Sequence, residues 1–293
     1  MEDFLKPNQI KGDDESLKKW GKDWTSGYQI NPSLIVFPEE NSQVVEIVKF
    51  AINNNLRLVP SGGRTGLSGG AVATNQEVVV SFDRMNKILD FCDKDKIIKC
   101  QSGLITKDLQ DFAISNNLFY PVDFASSGSS QIGGNIATNA GGIRVIRYGN
   151  TRNWIAGLKI VTGEGKILDL NSGLIKNATG YDLRHLFIGS EGTLGLTCEA
   201  EISLTKPQAS QRVMLLGVEE VKNLTKILEI FSSKITLSAF EFFSDLCLDK
   251  VKNKQEINAP FEEKFNFYAL IEFDDIEMEE ASKAFTYCLS QKL

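Results

Sequence analysis

The stretch that most constrains this chain runs from Asp123 to Gly149, DFASSGSSQIGGNIATNAGGIRVIRYG. It packs Ser126, Ser127, Ser129, Ser130, Thr138 and Asn139 among Gly128, Gly133, Gly134, Gly141 and Gly142, with almost no charge before Arg144. Such a run is poor core material, because glycine loses the most backbone freedom on folding and buries no side chain. It is good material for wrapping a ligand, since glycine lets the main chain approach closely and lets N–H groups converge on an anion. A solvated Gly/Ser linker would have the same composition. Ile132, Ile136 and Ala137 stand against that reading, because they sit at helical spacing inside the run.

A second stretch of the same kind lies upstream, PSGGRTGLSGG from Pro60 to Gly70, leaving the short apolar segment Leu56–Val59. It is neither a G-x-G-x-x-G fingerprint nor a P-loop, because it lacks the first spacing and the G-K-[ST] ending. Two such loops joined by strand and helix signals imply a ligand with a long, phosphate-bearing body. A third glycine turn, Gly189-Ser190-Glu191-Gly192-Thr193-Leu194-Gly195, follows TGYDLRHLFI.

The remaining signals predict an α+β chain. Leu34–Phe37 reads as a buried strand stopped by Pro38, and Asn41 or Ser42 as the cap of a helix with Val44, Val45, Ile47, Val48 and Ala51 inward. Leu56–Val59 completes a parallel crossover, and Glu77–Phe82, Lys87–Cys92 and Ile97–Ser102 follow as strands. Thr106 is predicted to cap a helix burying Leu109, Phe112, Ala113 and Ile114. Ile132–Thr138 reads as one or two helical turns with free N–H groups at the start. Ile155–Thr162 and Ile167–Leu170 form a hairpin, and Leu196–Thr205 a strand. From Val213 glycine nearly vanishes, and strands at Val213–Gly217, Leu237–Phe242 and Phe265–Phe273 alternate with helices at Val221–Phe231, Phe243–Lys252 and Met278–Leu289.

Charge and composition exclude some functions. A net charge of −6 over 293 residues, without a Lys/Arg cluster, argues against a nucleic-acid partner. No apolar run approaches the roughly 18 residues of a membrane span, and MEDFLKPNQIKGDDE lacks a signal-peptide core, so the expectation is a cytoplasmic protein. Residues 1 to about 19 read as a polar arm draped over the surface. Trp20 and Trp24 either anchor that arm or only pack at the surface. The five cysteines, Cys92, Cys100, Cys198, Cys247 and Cys288, read as small buried hydrophobes with no zinc or disulfide pattern.

The three glycine motifs in order, with TGYDLRHLFIGSEGTLG, resemble the FAD-binding domain of the vanillyl-alcohol oxidase and p-cresol methylhydroxylase (PCMH) superfamily. Within it the chain is most similar to the FAD-linked D-2-hydroxyacid dehydrogenases. The resemblance implies an N-terminal arm (1–27), a PCMH-type FAD-binding domain of two α/β subdomains (28–207) and part of an α+β cap domain (208–293). It also implies that the chain is truncated or split, since relatives run on well past Leu293.

What the resemblance implies for the site is specific. Pro60, Ser61, Gly62, Gly63, Arg64, Thr65, Gly66 and Leu67 would meet the FAD diphosphate through main-chain N–H groups, with Arg64 a phosphate or substrate partner or, as the sequence leans, a solvated charge. Ser127, Gly128, Gly133, Gly134, Asn135, Thr138, Asn139 and Gly142 would surround the ring and ribityl chain, and Glu191, Gly192 and Leu196 the adenosine half. Several superfamily members carry a flavin-linking histidine in the first loop. None stands there in this chain, so the FAD is expected to be non-covalent.

The implied reaction is oxidation of a D-2-hydroxy acid to the 2-oxo acid, with electrons passed to an acceptor protein or quinone, and a homodimer is a possible assembly. Catalytic residues are not identifiable, and nothing matches the family's histidine-bearing metal motif. His185 reads as structural, and Lys176 and Arg184 as surface charges. Arg144 and Arg147 either support the fold or approach an acidic substrate. Alternatives are a non-catalytic flavin-binding subunit or remnant that needs a partner, and an NADPH-dependent enolpyruvyl reductase.

Overall fold

The strands of the described residues form three separate sheets. A computed structural model of the chain describes residues 1–171, 173–174, 176–255 and 258–293. The chain divides into two units, residues 1–140 with 150–207, and residues 141–149 with 208–293.

The first unit opens with β1 (Ile10–Lys11), α1 (Asp14–Trp20), β2 (Leu34–Val36), α2 (Asn41–Asn53), β3 (Leu58–Ser61) and β4 (Val78–Ser81). These strands form a sheet in the order β1-β2-β4-β3, with β2 and β3 both parallel to the fully buried β4. The N-terminal residues are mostly exposed, as expected of a surface arm, but the arm is tied to the sheet. β1 pairs antiparallel with β2, and Leu5 is buried. Gln9 is buried too, its amide donating to Phe37 O (2.8 Å) and Gln43 Oε1 (2.9 Å). A polar side chain enters a core when its hydrogen bonds are met there, which composition cannot show.

Next come β5 (Ile88–Cys92), β6 (Ile97–Gln101), α3 (Thr106–Ser115), α4 (Ile132–Thr138) and, in the second unit, α5 (Val145–Tyr148). β7 (Ile155–Thr162), β8 (Ile167–Leu170), α6 (Arg184–Phe187) and β9 (Gly195–Ser203) complete the first unit. The five strands run antiparallel in the order β5-β6-β9-β7-β8. The β7–β8 hairpin turns through Gly165 at φ +72°, as its glycines predict. One core packs Leu109, Ala113, Ile132 and Ile136 of α3 and α4 on Ile98, Leu158, Ile160 and Ile202 of this sheet. A second joins Val44, Ile47 and Val48 of α2 to Val36, Val78 and Val80 and to Val161, Leu196 and Cys198, so α2 bridges the two sheets.

Several local predictions shift. Ile114 is exposed rather than inward, one position past the α3 stripe. The α2 cap is Glu40, and the Asn41 amide donates to Glu199 Oε1 on β9. Ile105 caps α3, freeing the Thr106 hydroxyl for Ser130 Oγ (2.8 Å) and the Asn135 amide (2.7 Å).

The second unit contains β10 (Gln211–Val218), α7 (Val221–Ser232), β11 (Leu237–Ser244), α8 (Asp245–Gln255), β12 (Phe267–Asp274) and α9 (Met278–Ser290). β12 lies between β10 and β11, antiparallel to both, and α7 and α9 bury Leu224, Ile227, Phe231, Ala281 and Ala284 against Leu216, Ile271 and Phe273. α8 starts two residues later than predicted because β11 continues through Phe243 and Ser244.

The segment 141–149 is tied to that sheet by charge. Arg144 donates to Glu272 from Nε (2.7 Å) and Nη2 (3.2 Å), and Arg147 to Asp274 from Nη1 (2.6 Å) and Nη2 (2.9 Å), with Ser238 Oγ at 2.8 Å. Three residues apart on one helical turn, the two arginines meet carboxylates two apart on one strand face. Both therefore support the fold of the second unit. Arg184 is likewise no surface charge: it donates to the carbonyls of Ile155 (2.8 Å) and Ala156 (2.7 Å) and to Asp182, while Lys176 is exposed. His185 sits beside it with Nδ1 2.9 Å from Arg152 Nη1, a structural contact.

Candidate functional site

The three glycine turns of the first unit close on one another. Gly63 backs onto the central run so tightly that a Cβ there would lie 2.1 Å from Ser129 O. Gly192, at φ +77°, backs onto Pro60, where a Cβ would meet Cγ at 2.5 Å. Gly189 N donates to Ile136 O (3.0 Å) and Glu191 N to Ala137 O (2.8 Å), fixing the third turn to α4. A Cβ on Gly133 would meet Ser102 Cβ at 2.7 Å. These glycines are required by the protein's own packing.

Gly128 and Gly134 differ. A Cβ at either would meet nothing within 4 Å, so the main chain there faces open space. Beside Gly62 and Gly133 are buried polar atoms without a protein partner: Ser61 Oγ, Ser102 Oγ and Gln131 Oε1. Three non-glycine residues of the glycine segments, Arg64 (φ +58°), Asn139 (φ +49°) and Glu191 (φ +52°), hold left-handed backbone, which costs each about 1 kcal/mol. Strained backbone, open glycines and unsatisfied buried hydroxyls in one place fit a polar ligand that the main chain grips.

The expected residues separate by role. Thr65 and Gly66 lie in the first loop, where Gly66 O accepts from Trp24 N (3.1 Å), and Leu67 is exposed. Ser127 caps a turn, its carbonyl accepting from Lys107 N (3.0 Å). Thr138 is exposed, with Oγ1 returned to Gly134 O (3.0 Å). The Asn135 side chain is spent on Thr106, and Asn139 Oδ1 accepts from Arg152 N (3.0 Å). Leu196 lies in the core with Val161 and Cys198. Gly142 belongs to the segment assigned to the second unit.

Two of the N–H groups expected to be free at the start of α4, those of Ile132 and Gly133, are taken. Ile132 N donates to Leu104 O (2.9 Å) and Gly133 N to Ser102 O (2.6 Å). The loop Ser102–Leu104 satisfies these helix-end donors before any ligand does.

Arg64 is not solvated. Its guanidinium donates to Gly62 O (2.7 Å) and to both oxygens of Asp83 (3.2 and 3.3 Å), and its side chain is 20% exposed. Asp83, just past β4, also accepts from Trp20 Nε1 (2.7 Å) and Gln131 Nε2 (2.8 Å). Burial pushes its carboxyl up, and the Trp20, Arg64 and Gln131 donors more than reverse this, holding it below the usual carboxylate range. Asp83 was not singled out from sequence, because SFDRMN carries no motif. Of the two indoles, Trp20 is the anchor, edge-on to Phe37 at 5.1 Å, and Trp24 is 76% exposed.

Three cysteines are buried, with the Cys100 and Cys198 thiols pushed up to about 12 by burial. Cys247 is exposed, correcting its expected burial. No helix among the described residues is long and apolar enough to cross a membrane.

The FAD binding domain family matches residues 32–171. D-2-hydroxyglutarate dehydrogenase of Stutzerimonas stutzeri is 52% identical over 294 residues, covering 99% of this chain and 63% of that protein. The mitochondrial D-2-hydroxyglutarate dehydrogenase of Arabidopsis thaliana is 37% identical, covering 93% of this chain and 49% of that protein. The chain thus spans between about half and two thirds of these relatives' lengths. Among solved structures, an alkyldihydroxyacetonephosphate synthase superposes with a TM-score of 0.80 at 21% identity, covering 97% of this chain and 57% of its own. p-Cresol methylhydroxylase with substrate bound gives 0.78 at 13%, covering 97% and 62%. At those identities the likeness concerns the fold.

Proposed function

We propose, from its similarity to D-2-hydroxyglutarate dehydrogenases and to the FAD binding domain family, that this chain belongs to the FAD-linked D-2-hydroxyacid dehydrogenase family and supplies the non-covalent FAD site of an enzyme oxidising a D-2-hydroxy acid such as D-2-hydroxyglutarate. The carrying observation is the convergence of three glycine turns around two glycines that face open space. The main chain of Ser61–Leu67, with Gly128, Gly134 and the Glu191-Gly192 turn, would hold the nucleotide. Neutral donors there offset phosphate charge without a metal. Bound FAD would supply the redox chemistry, as acceptor for a hydride from the acid, while the protein contributes position and electrostatics.

The residues of the chain define what it does toward that step. Arg64 is held by Asp83, so it braces the first loop and is not aimed at a substrate carboxylate. Arg144 and Arg147 are committed to Glu272 and Asp274. The cation that a 2-hydroxy acid needs is therefore not drawn from these three arginines. That commitment favours, as a second reading, a flavin-binding part completed by further chain or by a partner. The electron acceptor is proposed to be a protein or quinone, and a homodimer the assembly.

Purified chain mixed with FAD should turn yellow and keep the colour through gel filtration, and a colourless product overturns the proposal. Bleaching by D-2-hydroxyglutarate without response to NADPH supports the dehydrogenase. Bleaching by NADPH supports the enolpyruvyl reductase, and stable colour with neither response supports the flavin-binding part.

A further inference from the structure

Asp83 brings together three segments that are far apart in sequence and lie in the same unit. Trp20 ends α1 of the arm, Arg64 sits in the first glycine loop, and Gln131 is the N-cap residue of α4 in the central run. Each of the three side chains donates to this one carboxylate. The convergence is ordered. Trp20 and Arg64 Nη2 share Oδ2, while Gln131 and Arg64 Nη1 share Oδ1. The guanidinium also lies 5.9 Å from the indole centroid and donates to Gly62 O. An ionised carboxylate can accept four or more such bonds, and charge-assisted ones are about twice as strong as neutral ones.

The arrangement decides the conformation of two groups beside the open glycines. Arg64 holds left-handed backbone, a local cost that its bonds to Asp83 and Gly62 O offset. Gln131 must turn Nε2 toward the carboxylate, because the opposite amide orientation would set oxygen against oxygen. That choice leaves Oε1 on the Gly62 side, 3.4 Å from where a Cβ on Gly62 would stand. Removing the charge therefore releases both the loop and the cap of α4 without touching either glycine segment.

We propose that Asp83 is a positioning residue for the flavin-binding loops: by gathering Trp20, Arg64 and Gln131 on one carboxylate it holds the first glycine loop and the start of α4 in the relation that receives the cofactor. The proposal rests on the FAD reading above. It assigns a role in that site to the arm residue Trp20, which lies outside every glycine motif.

The test uses the whole chain. FAD affinity is measured by quenching of flavin fluorescence, and amide spectra of nitrogen-labelled protein follow the Trp20 indole N–H and the Gln131 carboxamide, assigned with Trp20→Phe and Gln131→Leu. Asp83→Asn should weaken FAD about tenfold and move both signals together, and Asp83→Glu should recover part of the affinity. Trp20→Phe, which removes one donor and keeps the ring, should weaken FAD about threefold and serves if Asp83→Asn does not fold. The proposal is overturned if Asp83→Asn binds FAD as the parent does, if its two signals stay in place, or if Trp20→Phe leaves affinity unchanged. Should the parent chain refuse FAD, the functional reading fails, and the spectra alone decide whether Asp83 gathers these groups: joint movement supports the hub, and independent behaviour removes it.

Discussion

Each unit fixes a stray segment with arginine and carboxylate, and the two do it differently. In the second unit, Arg144 and Arg147 face Glu272 and Asp274 two bonds to two, at 2.6 to 3.2 Å, from the N-cap and body of the short α5 to a regular strand. In the first, Arg64 meets Asp83 at 3.2 and 3.3 Å from a left-handed backbone, and the carboxylate also serves an indole and an amide. In the second arrangement each arginine meets one carboxylate, with Ser238 and Gln211 as further partners of the Arg147–Asp274 pair. The first is shared among loops that still carry unpartnered buried atoms, Ser61 Oγ and Gln131 Oε1. Unpartnered buried atoms occur beside both carboxylates, Gln131 Oε1 next to Asp83 and Gln211 Oε1 next to Asp274, so the contrast lies in the left-handed Arg64 backbone and the open glycines of the first unit.

Substitutions can break that contrast. The largest effect is expected from Gly63→Ala, whose methyl would stand 2.1 Å from Ser129 O. It should cost about 3 kcal/mol or more in denaturant melts, and an unchanged midpoint would show that the first two glycine turns are not in contact. Arg147→Ala leaves Asp274 with Gln211 but without its cation, and removes the donor to Ser238 Oγ. It should destabilise the chain by about 1–3 kcal/mol while FAD affinity holds, whereas a loss of affinity at constant stability would give the second unit's pairs a role in binding.

Acidification sharpens the same point. Hydrogen bonding to Arg147 holds the Asp274 carboxyl below its usual value of 3.8. A depressed folded value means that this stabilisation is complete above 3.8 and drains away as pH falls through the folded value. The stability difference between parent and Arg147→Ala should therefore shrink on going from neutral pH to below pH 3.8, and a constant difference would separate Arg147 from the titration of Asp274. Asp83 has the same sign.

Smaller is the effect of Gly134→Ala, a glycine inside α4 with open space where the methyl would go. Stability should rise by about 0.5–1 kcal/mol while FAD affinity falls. A variant both more stable and equally tight would place the ligand elsewhere. Least of all should thiol labelling disturb the protein: Cys247 should react in the native state, and Cys100 and Cys198, with thiols near 12, only on unfolding.

The sequence made the glycine segments, most strands and the helical turns at Ile132–Thr138 legible because each is local: composition, periodicity and turn residues announce it. What stayed hidden depends on partners distant in the chain. Gln9 looks like surface until Phe37 O and Gln43 are beside it, and Arg184 looks solvated until the Ile155 and Ala156 carbonyls receive it. Arg64 could not be assigned without Asp83, nor Thr106 without Ser130. The same limit applies to the glycines, for nothing in their order separates Gly63, pressed on a carbonyl, from Gly134, which faces space.

The excursion at 141–149 makes the two bodies non-contiguous in the gene. A break placed at Pro207, the point that looks like a natural seam, would leave the downstream piece with Glu272 and Asp274 stripped of their cations and the upstream piece carrying two arginines with nowhere to go. Expression of either fragment by itself is therefore a poor proxy for its behaviour in the intact polypeptide, and a graft of residues 208–293 onto another scaffold would have to bring the short arginine turn with it.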